Sequence, residues 1–257
     1  MSEMTIMVAV HKPYWMPEEN IYMPIHVGAE GKDSIGFVGD NTGNHISLKN
    51  PNYCELTALY WFWKNQYADV VGLCHYRRYF STGKFTSDLD SKKASILKEK
   101  DYRNLLLDCE CLVPKKRNYY IETVRSQYEH AHYKKDLDIL ESVLCEFYPG
   151  YVNAFNTVMN SKRLHLLNMF VMDWALYDKY CTFLFDVLGK VEERTDLTGY
   201  SVQEARIYGF LAERIFNVWL VKNEIKTKEV PVVFLEKINW IKKGTAFLAR
   251  KFGLVGK

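Results

Sequence analysis

The stretch VVGLCHYRRYF, residues 70–80, decides how the chain reads. Residues 70–74 form an apolar, β-prone run. A run of that kind suits a strand covered on both faces at the centre of a sheet. The run delivers His75, Tyr76, Arg77, Arg78 and Tyr79 at its C-terminal end. In open α/β sheets, ligands bind beyond the carboxyl ends of the strands. Guanidinium groups give paired hydrogen bonds to phosphate oxygens, and tyrosine rings stack on a base or sugar. The segment therefore reads as an anion site. If it stays extended, Arg77 and Arg78 point to opposite sides and at most one faces a ligand. The competing reading pairs one arginine with a buried carboxylate and packs the tyrosines.

Upstream, residues 5–10 form a short apolar strand that ends at His11, Lys12 and Pro13. His11 and Lys12 can reach the same sheet edge, Lys12 as a point charge for a diphosphate. The alternative is a polar turn with a proline stop. Residues 23–27 and 35–38 read as strands, and GDNTGN (39–44) as a turn. Its Asp40 either hydrogen-bonds a ribose or base, or bonds its own backbone. Residues 52–65 read as a helix, with Asn52 as cap and Glu55 bonding back to the first amides. Residues 91–107 read as a helix and 109–113 as the next strand. Strands alternating with helices predict a mainly parallel central sheet flanked by helices.

The second half is more helical. Residues 121–145 give one or two helices, 167–172 a strand, 177–194 and 203–221 long helices, and 230–235 a final strand. On the 203–221 helix, Arg206, Gly209 and Glu213 share one face. Glu213 is a candidate general base or holds a sugar hydroxyl. An Arg206–Glu213 bracket that locks the helix down is the alternative. The expectation is a single α/β domain over 1–257. About 1–120 would bind nucleotide, about 121–235 would complete the acceptor side, and 236–257 would be a basic amphipathic tail.

Of the 257 residues, 48% are hydrophobic and 25% charged, which suits a globular chain with a real core. The 15% aromatic share suits ring stacking on sugars or bases, or simply a tyrosine-rich core. A net charge of +3, spread along the chain, lacks the concentrated basic face of a nucleic-acid binder. Six cysteines without zinc-knuckle spacing point to reduced thiols in a cytosolic protein. The start lacks a secretory leader, and no run is apolar enough to span a bilayer. The expected location is the cytoplasm. The tail at 238–257 mixes apolar and basic residues, and it either lies on the inner membrane surface or packs on the domain.

Absent motifs also narrow the reading. There is no G-x-x-x-x-G-K-[ST], G-x-G-x-x-G or H-E-x-x-H, which argues against a kinase, a dehydrogenase and a metalloprotease. DLD occurs at 88–90 and 136–138, but neither follows a good strand. A divalent Mn or Mg ion therefore stays open without a convincing D-x-D motif to hold it, and no metal ligand or other cofactor is assigned. Cationic side chains can offset charge on a leaving diphosphate instead.

VAVHKPYWMP, PIHVGA, GDNTGNHISLKNPNYCELTALYWFWKN, VGLCHYRRYF, LVPKKRNYY, LNMFVMDWALYDKYCTFLFDVL and RIYGFLAERIFNVWL, from about residue 6 to about 233, together resemble one bacterial family. It is known as domain of unknown function 4422, and its members are described as capsular, exopolysaccharide or O-antigen glycosyltransferases. The resemblance implies a GT-A-like fold and sugar transfer from a nucleoside diphosphate donor. The implied donor is a UDP-sugar carrying galactofuranose or galactose. The implied acceptor is a lipid-linked oligosaccharide, with no nucleic acid involved. By position it carries donor binding onto His11, Lys12, His75, Tyr76, Arg77 and Arg78, with Asp40 added from its turn. Asn168 falls on the acceptor side. Glu213 and Arg206 are candidates for hydroxyl activation or sugar positioning, and Asp173 is a second candidate base. Two rival functions remain: a non-catalytic nucleotide- or carbohydrate-binding partner, and an RNA binder that stacks through Arg and Tyr.

Overall fold

The computed structural model describes residues 3–236, so the tail expected at 238–257 lies outside the described residues. The first half runs β1 (Met4–Val10), β2 (Tyr22–His26), β3 (Val38–Gly39), α1 (Asn50–Tyr53), α2 (Leu56–Asn65), β4 (Val70–His75), β5 (Arg78–Phe80), α3 (Leu89–Ala94), α4 (Glu99–Leu106) and β6 (Cys111–Pro114). The second half runs β7 (Arg117–Asn118), α5 (Val124–Ala131), α6 (Lys134–Phe147), α7 (Val152–Asn160), β8 (Arg163–Leu164), β9 (Phe170–Asp173), α8 (Trp174–Glu192), α9 (Ile207–Lys222), β10 (Thr227–Val230) and β11 (Val232–Phe234).

The main sheet has the order β10-β6-β9-β4-β1-β2-β3, with β5 on β4 and β11 on β5. Pairing is parallel among β4, β1, β2 and β3, and again between β6 and β10. β9 is antiparallel to both β4 and β6, so β6 points the same way as β4. All the strands of this sheet except β5 and β9 therefore share one direction, and β1, β4 and β6 end on one edge. Successive residues of a strand face opposite sides. Met7 and Ala9 of β1, Val71 and Leu73 of β4, and Phe170 and Met172 of β9 join the core under α2, α7, α8 and α9. Ile6, Val8, Cys74 and Val171 face the smaller core that holds Tyr79 and Tyr102.

β4 is central, as its apolar run predicts. At Gly72 an added Cβ would lie 2.6 Å from Ile6 Cδ1 and 2.8 Å from Val171 Cγ2, so the neighbouring strands leave room for glycine alone.

Several expected elements are divided. The strand does not run on through HYRRYF. β4 stops at His75, the chain turns at Tyr76 and Arg77, and β5 returns antiparallel with His75 opposite Arg78. The helix expected at 52–65 breaks at Cys54, whose φ is +54°. Asn52 caps nothing there; its amide donates to the Ala205 carbonyl at 2.7 Å, and α2 begins without a side-chain cap. Residues 91–107 split because Leu97 N–H bonds the Phe80 carbonyl and Ile96 bridges Ser81. Only Val38 of the strand expected at 35–38 is extended and paired. Residues 230–235 form parts of two strands, parted by Pro231, which has no N–H to donate. No helix among the described residues is long and apolar enough to cross a membrane.

Candidate active site

A cavity of about 560 Å³ opens where β1 and β4 end. His11 follows β1, and the β4–β5 hairpin supplies His75, Tyr76, Arg77 and Arg78. The break between α1 and α2 brings Cys54 and Glu55, and the approach to β9 brings Leu167 and Asn168. Arg206, Gly209, Phe210 and Glu213 close the far wall from the start of α9. Among the described residues, three of the five non-glycine residues with positive φ line this cavity: Cys54, Leu167 and Asn168. Such backbone conformations persist only where the surroundings enforce them, and they gather at functional sites.

The arginines differ in how they are held. Arg77 pairs with Glu236 at 2.5 Å and lies over the Tyr76 ring at 4.6 Å. Arg206 donates to Cys54 Sγ at 3.2 Å and lies over Phe210. Arg78 makes no side-chain hydrogen bond and no ion pair with any described residue, although Phe234 lies 5.9 Å from its guanidinium. Burial pulls the Arg78 pKa below its ordinary value, and the nearby Glu55 works against that pull. Arg78 is thus a partly desolvated cation whose donors are uncommitted.

Both histidines are tuned toward the neutral form. Burial lowers the His75 pKa, and its Nε2 donates to the Leu167 carbonyl at 2.7 Å. Burial, then Arg77, lowers that of His11, which sits edge-on to Tyr76.

The two carboxylates also differ. Glu213 is fully engaged: Oε1 accepts the Leu167 N–H at 2.7 Å, and Oε2 accepts from Arg214 at 2.9 Å. Burial raises its pKa. Glu55 has one oxygen committed, with Oε1 accepting from Asn168 Nδ2 at 2.7 Å, while Oε2 has no partner among the described residues. Asn168 is itself buried, and its Oδ1 has no hydrogen-bond partner among the described residues.

No group of three or more His, Cys, Asp or Glu side chains among the described residues is placed to hold a metal ion. In the DLD stretches, Asp88 caps α3 and Asp136 bonds Tyr200. These donor sets do not fit a resident divalent cation.

A family model described as Domain of unknown function (DUF4422) matches residues 5–224. The chain belongs to the DUF4422 family. No curated protein matches it. Among solved structures, the apo structure of the WbbM bifunctional glycosyltransferase matches with a TM-score of 0.85 and 32% identity over 91% of this chain. The DUF4422 chain spans only 46% of that longer chain. Its mixed, mostly parallel sheet flanked by helices is a GT-A-like α/β fold.

Of the residues singled out in the DUF4422 sequence, His11, His75, Tyr76, Arg77, Arg78, Asn168, Arg206 and Glu213 meet at the cavity. Arg77 and Arg78 both line it, against the expectation of opposite sides, because the hairpin turn reorients them. The Arg206–Glu213 bracket is not formed, since each has other partners.

Three residues lie elsewhere. Lys12 is exposed, 5.8 Å from the Tyr76 ring. Asp40 is fully buried, accepting from Gly28 N, Ala29 N and the Ser47 hydroxyl, so it has no oxygen turned toward a donor. Asp173 sits opposite Val70, at the edge far from the cavity, and caps α8 through Leu176 N at 2.8 Å. β9 runs antiparallel, which sends its C-terminal residue to the wrong end.

Glu55 was read as a helix-capping residue. The break at Cys54 that turns it into the cavity leaves no mark in the sequence, because cysteine is not a residue that announces positive φ.

Proposed function

We propose that this chain is a glycosyltransferase. It moves a hexose, galactose in its pyranose or furanose form, from a UDP-sugar to a hydroxyl of a lipid-linked oligosaccharide in the assembly of a surface polysaccharide. One observation carries the reading. A single cavity joins an uncommitted guanidinium, Arg78, to a carboxylate with an open oxygen, Glu55. The likeness to a structure described as a bifunctional glycosyltransferase supports it.

In this reading Arg78, flanked by Arg77 and His11, holds the donor diphosphate. Glu55 Oε2 accepts the proton of the acceptor hydroxyl as that oxygen bonds the anomeric carbon. The bond from the anomeric carbon to the phosphate oxygen breaks, and its electron pair leaves with UDP. Fixed positive charge beside the leaving group lowers the barrier without a metal's help. Tyr76 gives a ring wall to the pocket, and Asn168 holds Glu55 in place. Glu213 keeps the Leu167 backbone in position instead of acting as the base, because both its oxygens are occupied.

The test is release of UDP from a panel of UDP-sugars, with and without oligosaccharide acceptors, by the unaltered chain and by Glu55→Gln. Acceptor-dependent release by the unaltered chain, lost in Glu55→Gln while donor binding persists, is expected. Tight donor binding without turnover on any acceptor would make the chain a non-catalytic binding partner instead.

A further inference from the structure

The proposed reaction leaves one strongly charged patch unused. β6 ends at Pro114, and the chain passes at once into Lys115, Lys116 and Arg117. β7 pairs antiparallel with β8, which brings Lys162 and Arg163 alongside. Tyr119 N–H bonds the Lys162 carbonyl at 2.9 Å and holds the two segments together. All five cations are exposed, and none forms an ion pair with a described residue. Nearby carboxylates are engaged: Glu122 is buried against His130, and Glu229 accepts the Lys116 N–H at 3.4 Å.

Beside these cations stand two large apolar side chains in water. Tyr120 is 75% exposed and Ile121 56% exposed. Tyr120 has a φ of +58°, an uncommon conformation for a bulky residue, and its N–H is pinned by Asn118 Oδ1 at 2.8 Å. The segment between β7 and α5 thus holds these two side chains in water.

Cations alone fit any polyanion. Cations neighbouring an exposed aromatic and an exposed aliphatic side chain fit a bilayer. Tyrosine sits at headgroup depth, the aliphatic chain enters the acyl boundary, and Lys and Arg meet anionic headgroups. We infer that the β7–β8 strand pair and the Tyr120–Ile121 segment that follows β7 dock this protein on an anionic lipid surface.

The placement suits that role. β6 ends on the same sheet edge as β4, and β8 leads within three residues to Leu167 of the cavity wall. Docking there would hold the cavity beside the membrane. The inference stands on this geometry and does not depend on the sugar chemistry.

The experiment is co-sedimentation of the full chain with vesicles of phosphatidylcholine, with or without phosphatidylglycerol. Each cation at an anionic surface strengthens binding about fivefold. The combined change Lys115→Ala, Arg117→Ala and Lys162→Ala should weaken binding to the anionic vesicles about a hundredfold. Tyr120→Ser with Ile121→Ser should remove the binding that survives high salt. The tail at 238–257 is also basic, so both sets are repeated with Lys242, Lys243, Arg250 and Lys251 changed to Ala.

Undiminished binding of these variants in both backgrounds would overturn the inference. So would equal binding to neutral vesicles, or tighter binding to a single-stranded RNA homopolymer than to anionic vesicles. Sugar transfer to a water-soluble acceptor should be unchanged by the Lys115/Arg117/Lys162 and Tyr120/Ile121 variants. A chain that transfers nothing but loses vesicle binding in those variants would sink the proposed function and leave this inference standing.

Discussion

Asn168 donates through Nδ2 to Glu55 Oε1 at 2.7 Å, joining residues 113 positions apart in the chain. The same amide nitrogen donates to the Gly209 carbonyl at 3.1 Å. Two acceptors on one side fix the amide's orientation, since a flipped amide would set its own oxygen against both. Oδ1 is consequently buried without a hydrogen-bond partner among the described residues. Asparagine also tolerates the φ of +50° found here better than most residues do. One side chain thus meets two demands: a left-handed backbone and a double donor.

Replacing Asn168 by Gly keeps the backbone conformation and removes the amide. The Glu55 carboxylate is then held only by its own rotamer. With orientation lost, kcat for sugar transfer should fall about 10- to 100-fold, while donor affinity stays within about twofold. Glu55→Gln removes the base itself, and its kcat should fall by at least as much. Steady-state kinetics with donor and acceptor varied separately checks both. A loss confined to donor KM would contradict the assigned roles.

Arg78 and Arg77 should differ in their effect on donor binding. Arg78 is partly desolvated with no hydrogen-bond or ion-pair partner among the described residues, so its charge is left for a diphosphate. Arg77 is 34% exposed and already bound to Glu236. Screening weakens such a charge. Arg78→Ala should lower UDP affinity about 10- to 100-fold, as expected for a lost charged hydrogen bond. Arg77→Ala should lower it less, and the double change should abolish measurable binding. Calorimetry with UDP gives the order directly.

The buried β4 run and the charges at its end were legible because both are local signals: an apolar stretch, then a polar one. The turn at Tyr76 and Arg77 was not. It carries none of the Gly, Asn or Asp that usually mark a tight hairpin. The same limit hid Glu55, whose direction is set by a break at Cys54. Asp173 was misplaced for a topological reason. Whether a strand runs with or against its neighbours is decided by pairing across the chain, so the antiparallel course of β9 could not be read from residues 167–172. Glu213 fell on the correct helix face, but its partner Arg214 and the Leu167 amide belong to tertiary packing.

Acidification should destabilise the fold. Burial lowers the pKa of His26, His75 and His165 from 6.5. Each then binds fewer protons folded than unfolded, so stability rises with pH. The contribution is fully present above about 6.5, and it is lost as pH falls toward the lower folded values. Tm should therefore decline from pH 7.5 to 5.5, measured by calorimetry at constant ionic strength. His75→Gln replaces the Nε2 donor by an amide and removes one titrating group, so its decline should be shallower. An equal slope would show that His75 does not contribute.

Two glycines should respond oppositely to alanine. At Gly72 the new methyl would meet Ile6 Cδ1 at 2.6 Å, Val171 Cγ2 at 2.8 Å and the Phe170 carbonyl oxygen at 3.0 Å. The side chains can shift a little, but the Phe170 oxygen belongs to the ladder between β4 and β9 and cannot. Overpacking of this kind costs about 1–3 kcal/mol, which lowers Tm by roughly 5 °C in a chain of this size. Gly189 lies within α8, and an added Cβ there meets nothing within 4 Å. Alanine removes the entropic penalty of a mid-helix glycine and should stabilise the protein by about 0.5–1 kcal/mol. Urea denaturation of both variants provides the comparison. Because Gly72 spaces the strands that carry His75 and Asn168, Gly72→Ala should also depress sugar transfer, whereas Gly189→Ala should leave it intact.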